Sequence, residues 1–119
     1  TSYNNMSNGV SVDSFGKPYI CGVLNYNSYF SSFNSPNNYY LKGVNYAEPF
    51  IAKYSREGAL EWVIAAIDGD DETCVKIVVQ NNIANIVGTF ELTTNFGYQQ
   101  LHTPKASNNG DLFIWRYSE

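Results

Sequence analysis

Apolar and polar residues alternate with a period of two in several short runs, and clusters of turn residues separate the runs. Such alternation is the mark of half-buried strands. A first strand is expected over 9–13, where Val10 and Val12 alternate with Ser11, and a second over 18–24. Between them Ser14-Phe15-Gly16-Lys17 reads as a turn, with Gly16 able to take positive φ. Proline at the entrance of the second strand blocks no central ladder bond. A polar connection rich in Asn, Ser and Tyr covers 25–47. The third strand, 49–55, sets Phe50, Ala52 and Tyr54 on one face and Ile51 and Lys53 on the other. After the turn Arg56-Glu57-Gly58 comes a fourth strand, 59–67, with Leu60 and Trp62 assigned to one face. Ala, Leu and Glu would also suit a helix there, but the β-branched flank and the tight turn favour strand.

The pattern then starts again. Strands over 75–80 and 83–90 flank Asn81-Asn82, two residues that tolerate the left-handed region of a tight hairpin. A polar connection, 91–110, leads to a last strand over 111–118.

The residues themselves repeat. GVSVDSFGKPYICGV (9–23) is echoed by VKIVVQNNIANIVGT (75–89), with Val12 on Val78 and Gly22 on Gly88, an offset of 66 that also sets Phe30 on Phe96. PFIAKYS (49–55) is echoed by LFIWRYS (112–118), with Phe50 on Phe113 and Tyr54 on Tyr117 at an offset of 63. Repetition at this scale belongs to propellers, solenoids and arrays. It divides the chain into a first repeat, 1–67, and a second, 68–119, which lacks a counterpart of ALEWVIAAI. A sheet that ends one strand short exposes an edge that proteins normally cover, so the chain is read as part of something larger.

Composition narrows the function classes. The hydrophobic fraction of 44% supplies a core, and the longest apolar run, 62–67, falls far short of a membrane helix. A net charge of −4 without any Lys/Arg run gives no electrostatic reason to bind nucleic acid or an anionic membrane. Cys21 and Cys74 fit no metal or redox spacing, and two buried free thiols are favoured over a disulfide. Asn5-Met6-Ser7 is a lone glycosylation sequon.

Catalytic chemistry has little to stand on. His102 is the one histidine, in a loop without a neighbouring carboxylate, and no serine sits in a nucleophile elbow. Asp68, Asp70, Asp71 and Glu72 form an acidic cluster, read as a solvated loop because the spacing departs from the calcium-loop pattern. No enzyme, cofactor or metal site is expected. Trp62 is assigned to packing. Trp115 stands where the first repeat has Ala52, so it either fills a gap or faces a ligand. Tyr26, Tyr29, Tyr39, Tyr40 and Tyr46 offer a contact surface, since Tyr is enriched at interfaces. Candidate ligand contacts are Trp115, Tyr98, Asp70 and Asp71.

The first repeat resembles the SBBP-type β-propeller repeat. The resemblance rests on Val12, Asp13, Gly16, Tyr19, Gly22, Phe50, Ile51, Ala52, Lys53, Tyr54, Gly58, Leu60 and Trp62. The second repeat keeps Val78, Gly88, Asn95-Phe96-Gly97, Phe113, Ile114, Arg116 and Tyr117, and has Val79-Gln80-Asn81-Asn82 in place of the VD-x-x-G turn. The resemblance implies an all-β fold of four-stranded antiparallel propeller blades, the ring completed by further blades or further copies of the chain. It also implies secretion or surface exposure, on a cell or a virion. The expected function is a non-catalytic structural or protein-interaction module. Its partners would be other blades or copies, and proteins met by the connections 25–47 and 91–110. A lectin-like, glycan-binding propeller of oligomerising two-blade chains is the alternative.

Overall fold

The computed structural model describes residues 6–24, 28–33, 39–41, 48–66, 70–91, 93–96, 99–102 and 111–118. All their regular elements are strands: β1 (Met6–Val12), β2 (Pro18–Leu24), β3 (Ser28–Phe30), β4 (Tyr39–Leu41), β5 (Glu48–Tyr54), β6 (Leu60–Ala65), β7 (Asp70–Gln80), β8 (Ile83–Glu91), β9 (Thr93–Phe96), β10 (Gln99–His102) and β11 (Asp111–Ser118). They form a four-stranded sheet ordered β1-β2-β5-β6, a three-stranded sheet ordered β11-β8-β7, and two small hairpins, β3-β4 and β9-β10. All pairings are antiparallel.

The repeat of sequence is a repeat of topology. In each half a long hairpin is followed by a small one, and the chain then returns to pair with the second strand. β1 to β5 thus correspond in order to β7 to β11. Both small hairpins fall inside the connections 25–47 and 91–110 that the sequence pattern leaves as polar loops. Strands of three or four residues are too short to show alternation, and β3 and β4 are pinned by the rings of Tyr29 and Tyr40, 5.0 Å apart.

Two of the turns share one design. Asp13 donates its N–H to the Lys17 carbonyl and accepts from Gly16 N–H on its own carbonyl, while its carboxylate accepts from Lys17 N–H. Ser55 makes the same three bonds with Ala59, Gly58 and, through its hydroxyl, Ala59 N–H. The fourth residue is Gly16 or Gly58, with φ of 79° or 91°, a region glycine enters without steric cost. The hairpin of the second repeat is tighter, with Asn81 and Asn82 at φ of 51° and 60°.

The two large sheets pack face to face. Tyr19, Cys21, Ile51, Cys74, Ile77, Ala84, Ile86 and Phe113 form the core between them. The far face of the first sheet is sealed separately by Leu24, Phe30, Phe50, Ala52 and Val63, with the Phe30 ring edge-on to Phe50 at 5.1 Å. The repeat positions Phe50 and Phe113 therefore lie in different cores. The second sheet turns its Phe113 face toward the first, and the first turns its Phe50 face away. Equivalent sheets stack head to tail.

Three expectations need correcting. Cys21 and Cys74 are joined in a disulfide between β2 and β7, their Cα atoms 6.3 Å apart, because the stacking brings distant strands together. Leu60 and Trp62 lie on opposite faces: Lys53 pairs with Trp62 and Tyr54 with Leu60, so Glu61 is an extra residue in a β-bulge. Asp70, Asp71 and Glu72 belong to β7, whose pairing with β8 begins at Asp70 opposite Glu91, and not to a loop. The repeat positions Val12 and Val78 are both exposed, at 54% and 49%.

Candidate interaction surface

Aromatic rings converge between the sheets. Trp62 lies 5.8 Å from the Tyr19 ring and 5.0 Å from the Tyr117 ring, so it bridges the two sheets. Trp115 extends the group, edge-on to Tyr117 at 6.5 Å, and packs half-buried against the core. Its repeat equivalent Ala52 lies instead in the separate cluster on the far face of the first sheet. The bulge aims the Glu61 carboxylate at two amines, Lys17 at 2.8 Å and the buried Lys53 at 3.5 Å. The Lys53 ammonium also sits 5.2 Å above the Tyr19 ring, a favourable cation–π geometry. Trp62 against Tyr117 joins the two sheets, while the ion pairs and the cation–π contact brace the first repeat internally.

Of the other candidate residues, Asp70 and Asp71 are placed in β7 by their backbone alone, and Tyr98 lies outside the described residues. His102 ends β10, paired with Thr93. Among the described residues no three His, Cys, Asp or Glu side chains stand together as a metal site.

The surface that sequence reasoning missed is the outer face of the second sheet. Leu112 and Ile114 on β11 are 83% and 72% exposed, beside the exposed Val87 on β8 and Val75 on β7. Ile114 pairs with Val87, so their side chains are neighbours on that face. With Gly88 and Phe113 these residues line an apolar depression of about 350 Å³. The segment LFIWRYS is apolar on both faces, so its alternation does not tell which face is buried; only the stacking does.

This face has a counterpart inside the molecule. At the repeat offsets Val87 matches Cys21, Ile114 matches Ile51 and Arg116 matches Lys53. Cys21, Ile51 and Lys53 are buried beneath the second sheet. The exposed face is thus the equivalent of the first-sheet face that the second sheet covers.

The edges of the second sheet are treated unequally. Along β7, Asn8 Nδ2 donates to the Cys74 carbonyl at 2.6 Å, and Ser11 Oγ accepts from Val79 N–H at 2.9 Å, so β1 is tied to it. Among the described residues no strand lies beyond β11.

No family model, curated protein or solved structure matches the chain.

Proposed function

We propose that this is a non-catalytic structural and protein-interaction module of the β-propeller type, whose repeat sheets stack on further sheets of the same kind. The head-to-tail stacking of two equivalent sheets carries the reading, because it leaves one packing face exposed at the end of the stack. A head-to-tail contact that is repeated generates a ring when its rotation closes. Apolar patches of this kind mark interaction sites. The resemblance of the first repeat to SBBP-type blades points the same way.

A secreted or surface-exposed setting goes with this reading, since disulfides such as Cys21–Cys74 persist in oxidising compartments. Glycan binding has less support: Trp62 and Trp115, the rings that would stack on a sugar, pack against the core.

The test is the mass of the chain in solution by light scattering. Self-assembly through the outer face gives a multiple of 13.4 kDa that falls to 13.4 kDa in a Leu112→Asp, Ile114→Asp double variant. A wild-type chain that stays at 13.4 kDa up to its solubility limit overturns self-stacking.

A further inference from the structure

We propose that the outer edge of β11 is a strand-docking site, and that its occupant is an extended segment with the alternation of β6, added antiparallel. This rests on reading the two halves as copies of one repeat. In the first sheet the strand equivalent to β11 is β5, which has β2 on one side and β6 on the other. β11 has β8 in the place of β2. The place of β6 is unfilled among the described residues.

The first sheet also gives the register. Ala66 N–H donates to the Pro49 carbonyl, so β5 turns the backbone groups of Pro49, and by alternation those of Ile51 and Lys53, toward β6. The equivalents on β11 are Leu112, Ile114 and Arg116. β6 sets Ile64 opposite Ile51, Val63 opposite Ala52 and Trp62 opposite Lys53. Transferred to β11, the incoming strand places an Ile against Ile114, a Val against Trp115 and a Trp against Arg116. The first pair shields an exposed apolar side chain, and the last offers a cation–π contact. Between Leu112 and Ser118 β11 carries no proline and one charge, Arg116, a composition that suits pairing with an added strand.

The experiment uses the full 119-residue chain and a labelled peptide with the sequence of residues 59–66, ALEWVIAA, carrying a solubilising tail. Fluorescence anisotropy reads binding, and amide hydrogen exchange by NMR reads position. Saturable binding is expected, with slowed exchange at Ile114 and Arg116. A peptide with proline at the position of Ile64 loses a backbone donor and binds about tenfold more weakly or worse. A scrambled peptide that binds equally, protection confined to β1 or β6, or the absence of saturable binding overturns the proposal. So does full protection of the Ile114 and Arg116 amides before peptide is added, since the edge is then already occupied. The light-scattering test reads the face of the sheet and this one reads its edge, so either can fail while the other succeeds.

Discussion

Asn8 and Cys74 are one repeat apart, 66 residues, and the side-chain amide of the first donates to the backbone carbonyl of the second at 2.6 Å. Equivalent positions in the two halves are thus bonded directly, and the first strands of both sheets run side by side. Ser11 adds a second bond to Val79 N–H. Removing one such bond costs about 1 kcal/mol. Asn8→Ala is therefore expected to lower unfolding stability by about that amount, and Asn8→Ala with Ser11→Ala by about 2 kcal/mol. Urea denaturation checks both. A double variant as stable as wild type would show that these bonds do not hold β1 to β7.

The disulfide closes a loop of 53 residues between β2 and β7. Loop-closure entropy for that length amounts to roughly 4 kcal/mol at 25 °C. Cys21→Ser with Cys74→Ser, or reduction with a thiol, is expected to lower the denaturation midpoint accordingly. Unchanged stability after complete reduction, verified by mass, would show that the sheets need no covalent tie.

Much of this fold is legible in the sequence, for reasons visible at particular residues. Gly16 and Gly58 mark turns because each must take positive φ, and Asn81-Asn82 marks another. The alternation of β5 correctly separates Phe50, Ala52 and Tyr54 from Ile51 and Lys53. What escapes is set by tertiary packing. Nothing local announces that Glu61 bulges and so flips Trp62 relative to Leu60. Cys21 and Cys74 meet only because one sheet lies on the other. Leu112 and Ile114 look like core residues until the stack shows that Phe113, Trp115 and Tyr117 face inward.

Gly22 tests how closely the chain packs at a repeated position. A Cβ there would run into the backbone carbonyl of Met6 and come within 2.8 Å of the Phe50 ring. Backbone cannot yield as a flexible side chain would. Gly22→Ala is expected to cost about 2–3 kcal/mol, the upper part of the usual range for overpacking a filled site. Thermal unfolding measures it, and a loss under half a kcal/mol would mean that β1 moves away freely.

Tyr54 gives a pH dependence with a definite sign. Burial raises its phenol pKa above the ordinary 10.0. The folded chain then keeps a proton that the unfolded chain releases. The contribution is complete below the unfolded value of 10.0 and is lost as pH rises through the folded value. Stability should fall above about pH 10 less steeply in Tyr54→Phe than in wild type. Parallel urea titrations across that range decide it, and identical slopes would place the alkaline loss on other tyrosines.

Tyr19 carries the clearest conflict inside the core. Its side chain is 1% exposed, and its hydroxyl has no hydrogen-bond partner among the described residues. The ring itself is well used, edge-on to Trp62 at 5.8 Å and beneath the Lys53 ammonium at 5.2 Å. A buried hydroxyl without a partner carries a desolvation penalty of about 1–3 kcal/mol. Tyr19→Phe removes the penalty and leaves both ring contacts in place. It is therefore expected to raise the unfolding free energy by about 1 kcal/mol, against the usual direction of core substitutions. Denaturant unfolding reads the difference. A Tyr19→Phe variant less stable than wild type would mean that the hydroxyl is satisfied in solution, with a bound water as the natural partner.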